Sequence, residues 1–300
     1  MCKKYKLEPG MEIRDVNLQG LDLKGIDLSN AVLNNVNLMR SDLSEANLEG
    51  AKIINSNLNE VNLSKVKANY VNFYQSSLIK AQFWGASLEY SIMDNVNAYY
   101  TNFDNTNISY SKFRYSNFMY SSFYRTIGKE WDAIRNNFDN ARFNFADLES
   151  TIFLKSNFNE ASFFNVNLEK VDLSYTNITL TTFRNCNMKN TVLPSPGMIL
   201  LANWGGYDSD DISMLMKLDA SAHPEPEKFD KWALGEGCPY TNVNFNRAAL
   251  FLENRNYWNS KKDFPTLWEA VYIIMKKYCP SWNYLLERDK NESRINSTKM

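Results

Sequence analysis

Residues 31–60 read AVLNNVNLMR SDLSEANLEG AKIINSNLNE, and a bulky aliphatic residue occupies every fifth position of this stretch. The residue two places before each of these is small or β-branched, and the residue between them is most often Asn, Asp or Ser. The same pattern extends over residues 11–195, which makes about 37 consecutive pentapeptides. A repeat of five fits neither the 3.6-residue period of an α-helix nor the alternation of a simple strand.

The spacing predicts a coiled chain. Residues two apart in an extended segment point to the same side, so the small and the bulky residue point inward and the polar one points outward. The next inward residue follows three positions later, so the chain must turn once in every pentapeptide. Repeated turns close a coil, and stacked coils bury a continuous core. Phe replaces Leu in the later coils, where we expect a wider or more tightly filled interior.

The motif Ala-Asp/Asn-Leu-x-x resembles the repeat of the pentapeptide-repeat proteins. It occurs as AVLNN (31–35), SDLSE (41–45), ANLEG (46–50), SNLNE (56–60), ADLES (146–150) and VDLSY (171–175). The resemblance implies an all-β fold, a right-handed quadrilateral β-helix with four pentapeptides in each coil. Residues 11–195 would form about nine coils, and the rod would be about 43 Å long at about 4.8 Å per stacked strand.

The sequence VLPSPGM (192–198) contains two prolines and a glycine, which predict the end of the repeats near residue 195. We expect an N-terminal lead-in over 1–10, the β-helix over 11–195, a mainly α-helical capping or interaction region over 196–290 and a disordered tail over 291–300.

Three helices are predicted in the C-terminal region. One follows Ser209, with Asp210 and Asp211 in its first turn, and one covers 245–256. The third begins at Thr266, which forms a capping box with Glu269, and ends before Pro280. This third helix has an amphipathic face formed by Trp268, Val271, Tyr272, Met275 and Tyr278. We expect this face to pack either on the rod or on a second subunit. Packing on a second subunit would give a homodimer through the C-terminal helices.

Composition narrows the function classes. The 300-residue chain has a formal net charge of −1, and a groove-binding protein would need clustered cations, so we expect no direct binding of nucleic acid. No signal peptide or membrane-spanning run is present, and the four cysteines form no Cys-x-x-Cys pair. We therefore expect a cytoplasmic protein with reduced thiols and no membrane contact. The sequence has no phosphate-binding glycine loop and no zinc-ligand spacing, so no cofactor or metal is expected.

Aromatic side chains between residues 70 and 124 occupy positions that should face water. With twenty residues per coil, residues twenty apart form outer columns. The candidate partner-binding residues are Tyr70, Trp84, Tyr90, Tyr100, Tyr110, Tyr115, Tyr120, Tyr124 and Trp131. Three interpretations remain open: the rings stack on one another, the C-terminal region or a second subunit covers them, or a protein partner binds them.

The stretch TIGKEWDAIR (126–135) breaks the pattern. Gly128 and Ala133 stand where bulky residues are expected, and Trp131 stands where a small one is expected. The segment is ten residues long, so it is either a loop ejected from the coil or two distorted pentapeptides within it. We predict that it protrudes, with Trp131 packed on the outer wall of the rod.

The resemblance extends to the quinolone-resistance pentapeptide-repeat proteins, which are bacterial and bind type II topoisomerases. It implies a non-catalytic interaction or scaffold protein that modulates a topoisomerase such as DNA gyrase. Mimicry of DNA would need a densely acidic surface, and residues 11–195 hold 19 acidic and 17 basic residues. This near balance argues against mimicry by charge.

The alternative is an enzyme or ligand-binding domain in the C-terminal region, displayed on a rigid rod. Its candidate centre is His223, the single histidine, with Asp219, Asp230 or Cys238 nearby. A deep polar pocket around His223 would favour this alternative, and a surface histidine would favour the interaction protein. No nucleophile motif accompanies His223, so we do not expect an enzyme.

Overall fold

The computed structural model describes residues 7–205, residues 211, 214 and 215, and residues 267–282. Its regular elements are β1 (Glu12–Arg14), β2 (Val32–Asn34), β3 (Lys52–Ile54), β4 (Ser162–Phe164), β5 (Thr182–Arg184), α1 (Pro196–Leu201) and α2 (Leu267–Tyr278). The strands β1, β2 and β3 form one parallel sheet in that order, and β4 pairs in parallel with β5.

Single parallel bridges continue the pairing between these two sheets. They run from Asn17 paired with Asn37 to Asp172 paired with Val192, and each joins residues twenty apart. Backbone hydrogen bonds accompany these bridges; the amide of Leu38, for example, donates to the carbonyl of Asn57 in the next coil at 2.7 Å. The chain therefore stacks on itself once every twenty residues, and the predicted repeating β fold is confirmed.

Each pentapeptide turns at its fifth residue. This residue has a positive φ along the whole repeat, for example 56° at Asn35 and 60° at Tyr70. The left-handed conformation costs an ordinary L-residue about 1–2 kcal/mol, and Asn and Gly tolerate it best. The fourth and fifth residues of each pentapeptide, which follow the bulky one, therefore form the corners of the coil, and their side chains point outward.

Small residues on the inner wall tie adjacent coils together. Most of the Ser and Thr hydroxyls on this wall donate to a backbone carbonyl of the preceding coil, as Thr101 does to Leu78 and Ser116 does to Met93, both at 2.7 Å. These bonds satisfy polar groups that no water could reach. Ser and Thr can therefore alternate with Ala on the inner wall.

Phenylalanines fill the interior of the later coils as a stacked column. It contains Phe83, Phe103, Phe123, Phe143, Phe163 and Phe183, with 4.7–5.0 Å between successive ring centroids. Trp204 ends the column, stacked on Phe183 at 4.6 Å. The column follows from the twenty-residue step, which places one ring directly on the next.

The prediction that residues 126–135 protrude is wrong. Ile127 pairs with both Asn107 and Asp147, and Asp132 pairs with both Lys112 and Ile152, so the twenty-residue step continues through the segment. Trp131 is fully buried in the interior and does not lie on the outer wall.

Volume compensation explains why no loop is needed. Phe113, Ala133 and Phe153 occupy equivalent inward positions in three successive coils. The alanine side chain is smaller than the two phenylalanine rings and leaves part of the interior unfilled at its level. The ring of Trp131 fills the space, with its centroid 5.4 Å from both Phe113 and Phe153. At Gly128, neighbours close the space, since an added Cβ would meet Leu148 Cδ2 at 3.0 Å.

The C-terminal end of the repeat is covered. After α1 the chain returns to pair Asn203 with Thr182, and the Trp204 indole donates to the carbonyl of Ile199 at 2.7 Å. The segment after α2 also contacts the last coil, because the Trp282 indole donates to the carbonyl of Thr191 at 3.1 Å. The strand edges of this end are therefore protected.

The predicted third helix is confirmed as α2, while Thr266, and with it the predicted capping box, lies outside the described residues. Its buried side chains are Ala270, Val271, Ile274 and Met275. Tyr272, which we placed on the packed face, is 41% exposed. Its hydroxyl accepts a hydrogen bond from Lys276 Nζ at 3.2 Å, and this ammonium lies over the Tyr272 ring.

The predicted helix after Ser209 is described only in part. Asp211, which we placed in its first turn, is helical and buried, and its carboxylate accepts from Lys277 Nζ at 2.8 Å and from the Tyr278 hydroxyl. Several other predictions fall outside the described residues. They concern Ser209, Asp210, the helix over 245–256, the side chain of Trp268, His223 with Asp219, Asp230 and Cys238, and the tail 291–300.

Candidate interaction surface

Two columns of tyrosine lie on the outside of the rod. Tyr70, Tyr90 and Tyr110 stack with 5.0 Å between successive ring centroids and interplanar angles of 7° and 10°. Tyr100 and Tyr120 form a second stack at 5.5 Å. The three side chains of the first column are 58%, 46% and 41% exposed. The rings thus stack on one another and still present their edges and hydroxyls to solvent.

The backbone makes this arrangement unusual. All five tyrosines occupy the fifth pentapeptide position, where φ is 57–61°. Asn is easier to place there, and the first column does hold Asn30 and Asn190 on either side of the tyrosines. Ring stacking, worth about 0.5–1.5 kcal/mol for each pair, offsets the backbone strain.

The other predicted residues divide into surface and core. Trp84 and Tyr115 are exposed, Tyr124 is half-buried and Trp131 is buried, so Trp131 is removed from the surface. A cation of this chain lies over each of the first three rings: Lys65 over Trp84 at 5.5 Å, Arg135 over Tyr115 at 5.6 Å and Arg125 over Tyr124 at 5.2 Å.

Sequence reasoning did not select every exposed aromatic residue. Tyr175 is 79% exposed, and Phe145 is also exposed. Both stand at the fifth pentapeptide position, so the same periodicity could have found them. They lie outside residues 70–124, the range that holds every selected residue except Trp131.

Acidic residues near the C-terminal end of the rod are paired with lysines. Glu149 contacts Lys170 at 2.9 Å and Lys129 at 3.7 Å, and Glu169 contacts Lys189 at 3.3 Å. The lysines hold the pKa of Glu169 below its usual value, mainly through the hydrogen bond from Lys189. This face therefore presents alternating charge, which differs from the uniform negative charge of a DNA backbone.

Carboxylates lie close to the first tyrosine column. Desolvation, the neighbouring tyrosines and then the charges of Glu89 and Glu130 raise the pKa of the Tyr90 hydroxyl. The hydroxyl therefore stays protonated at neutral pH and can donate a hydrogen bond.

The described part of the chain offers little for catalysis. It contains no group of three or more His, Cys, Asp or Glu side chains that could hold a metal ion. Burial raises the pKa of the Cys186 thiol to about 11, so this cysteine is a poor nucleophile at neutral pH. None of the described helices is long and apolar enough to cross a membrane.

Comparison with known proteins identifies the repeat. The family model of pentapeptide repeats matches in 8 copies, over residues 12–50, 56–95, 137–174 and 155–190. No curated protein matches the chain.

Solved structures of pentapeptide-repeat proteins are similar at low identity. HetL from the cyanobacterium Nostoc sp. strain PCC 7120, a protein involved in heterocyst differentiation regulation, is 19% identical over 65% of this chain and 85% of its own, with a TM-score of 0.33. QnrB1, a plasmid-mediated fluoroquinolone resistance protein, is 17% identical over 64% and 93%, with a TM-score of 0.37. Rfr23 from the cyanobacterium Cyanothece 51142 is 21% identical over 62% and 86%, with a TM-score of 0.17.

Proposed function

Since this chain belongs to the pentapeptide-repeat family, we propose that it is a non-catalytic scaffold that binds a protein partner through the first of its two exposed tyrosine columns. The observation that carries the proposal is the stack of Tyr70, Tyr90 and Tyr110, which leaves three large aromatic side chains exposed in one row. Tyrosine is enriched among the residues that dominate protein interfaces. The stacked rings are also held in place before binding, so little side-chain entropy is lost on association.

Photo-crosslinking tests this proposal. We expect p-benzoylphenylalanine at position 90 to crosslink a defined protein in cells, and the same residue at position 35 to crosslink none. We also expect the crosslink from position 90 to disappear when Tyr70 and Tyr110 are replaced by Asn. If the same protein is crosslinked with and without these replacements, the proposal is contradicted.

A finer proposal concerns the identity of the partner. The resemblance of the repeat to the quinolone-resistance proteins supports a type II topoisomerase, with DNA gyrase as the first candidate. We expect micromolar protein to change gyrase supercoiling or its inhibition by a fluoroquinolone. No change in either assay would exclude gyrase and would leave the scaffold proposal standing.

We also propose the finer geometry: a right-handed, four-sided rod of about nine coils over residues 11–195, followed by a helical region over 196–290. The twenty-residue pairing and a positive φ in every fifth residue support it. Small-angle scattering should give a longest dimension of at least about 43 Å, the length of nine stacked coils.

A homodimer through the C-terminal helices is a further proposal, supported by the exposed side chains of Tyr272 and Ile273 on α2. Light scattering at increasing concentration decides it, because a constant monomer mass would exclude the dimer. We propose a cytoplasmic location in a bacterium on the resemblance alone.

A further inference from the structure

Residues at the fifth pentapeptide position stack in columns along the rod, and the charged residues in these columns are ordered by sign. Arg40 Nε lies 2.9 Å from a carboxylate oxygen of Glu60, twenty residues later, and Lys80 follows in the same column. Glu45 is likewise followed by Lys65. With one exception, the other charged residues at this position between residues 11 and 195 have uncharged neighbours in their columns. This order is expected, because like charges on neighbouring strands destabilise the pair.

The exception is the column that contains Tyr115, Arg135, Lys155 and Tyr175 in succession. The amide of Arg135 donates to the carbonyl of Leu154 at 3.0 Å, so Arg135 and Lys155 lie on adjacent strands, about 4.8 Å apart along the rod. Two positive charges are therefore direct neighbours in this column.

Neither of these two cations is neutralised within the described part of the chain. The side chains of Arg135 and Lys155 are exposed, and neither forms an ion pair with a described residue. Lys129 and Lys170, by contrast, both pair with Glu149. The column thus carries two positive charges that the described residues do not balance.

The carboxylates on the flanking face already have partners. Asp132, three residues before Arg135, forms an ion pair with Arg114. Asp172, in the coil after Lys155, accepts a hydrogen bond from the Ser174 amide at 2.8 Å. These two groups therefore do not take the place of a counterion for the column.

The aromatic rings at both ends hold the cations and leave their N–H groups free to donate. Arg135 lies over the Tyr115 ring at 5.6 Å, and Lys155 lies over the Tyr175 ring at 5.9 Å. The attraction comes from the face of the ring and uses no hydrogen-bond acceptor. The two tyrosine side chains are 54% and 79% exposed, so their hydroxyls are further donors at the surface.

We propose that Arg135 and Lys155, flanked by Tyr115 and Tyr175, bind a phosphoryl group on a side chain of a protein partner. A phosphorylated serine or threonine carries a charge of about −1.5 to −2 and three acceptor oxygens, so one group satisfies both cations. This inference goes beyond the proposed function, because the site lies in a different column from Tyr70, Tyr90 and Tyr110 and uses none of these residues.

A single phosphoryl group on a protein fits this site better than other anions. A carboxylate carries one negative charge and would leave one cation unmatched. A nucleic-acid strand would extend its phosphates to the neighbouring columns, where Glu130 and Glu160 stand at the levels of Arg135 and Lys155. The site is an open surface, so a free anion would make few other contacts. A partner that carries the phosphoryl group can also pack on the exposed rings.

Fluorescence anisotropy with a labelled peptide tests the site, in a buffer of low ionic strength where screening is weakest. The probe is Gly-Ser-Gly-phosphoserine-Gly-Ser-Gly, compared with peptides that carry Ser or Asp in place of phosphoserine. Each exposed ion pair contributes up to about five-fold to the affinity. We therefore expect the phosphorylated peptide to bind at least about five-fold more tightly than the Ser peptide, with the Asp peptide between them.

Replacing both cations with glutamine removes the charge at little cost to the fold. Gln75 stands in the same column with φ of 54°, so glutamine suits this position. We expect the double variant Arg135→Gln with Lys155→Gln to bind the phosphorylated peptide at least about five-fold more weakly. The matched control is Lys65→Gln with Arg125→Gln, which removes two cations at the same pentapeptide position that also lie over rings but are not neighbours. It changes the net charge equally and should bind like the unmodified protein.

The outcomes separate this inference from the scaffold proposal. Equal binding of the phosphorylated peptide and either of the other peptides, or equal losses in the two double variants, would overturn the phosphoryl site. Inorganic phosphate that binds as tightly as the phosphorylated peptide, or a single-stranded oligonucleotide that binds more tightly, would assign the two cations to another anion and overturn it as well. Neither double variant alters the first tyrosine column, so crosslinking at position 90 tests the scaffold proposal independently.

Discussion

Replacing Trp131 with alanine is expected to lower the free energy of unfolding by about 4 kcal/mol, within the range for deleting a large buried aromatic side chain. The indole is fully buried and contacts Phe113, Phe123, Phe138 and Phe153 at centroid distances of 5.4–5.7 Å. Its removal would leave a cavity in the middle of the rod. Denaturant unfolding followed by circular dichroism measures the loss.

A second substitution should restore most of this stability. In the variant Trp131→Ala with Ala133→Phe, the small and bulky residues return to their regular pentapeptide positions, and the new ring continues the column of Phe113 and Phe153. The double variant also removes a buried indole N–H that finds no acceptor among the described residues. Ala133→Phe alone should destabilise, because the indole already fills the space. A double variant no more stable than Trp131→Ala would contradict volume compensation.

Replacing Trp204 with alanine is expected to have the next largest effect, a loss of about 3 kcal/mol. Trp204 is 1% exposed, stacks on Phe183 at 4.6 Å and donates to the carbonyl of Ile199. Its removal opens the end of the phenylalanine column and loosens the segment that covers the last coil. Amide hydrogen exchange should therefore accelerate first near Phe183, before the middle of the rod.

The matched control for Trp204 is Trp84→Ala. Trp84 is 45% exposed, and Lys65 lies over its ring. We therefore expect its replacement to lower the free energy of unfolding by less than about 1 kcal/mol. Similar losses in the two variants would show that the C-terminal cover does not stabilise the last coil.

The period of five residues was enough to predict a repeating β fold. It predicts which residues point inward, and Leu18 through Met188 are buried at the expected positions. The outer columns needed the resemblance to pentapeptide-repeat proteins as well, because that resemblance implies the twenty-residue coil that determines which side chains are neighbours. Tyr70, Tyr90 and Tyr110 could therefore be selected together from the sequence.

The misjudged segment shows what periodicity leaves out. A position-by-position pattern cannot tell that Trp131 takes the volume that Ala133 lacks, since the two lie in the same coil but at different inward positions.

The affinity of the crosslinked partner for three forms of the protein tests the central claim most directly. Asn replaces Tyr70, Tyr90 and Tyr110 in one variant, and Tyr100 and Tyr120 in the matched control. Asn suits the backbone at these positions, as Asn30 and Asn190 demonstrate with φ of 56° and 57°. We predict a Kd at least about ten-fold higher for the first variant and a change below about two-fold for the control. Equal affinity of all three forms would contradict the assignment of the first tyrosine column as the partner-binding surface.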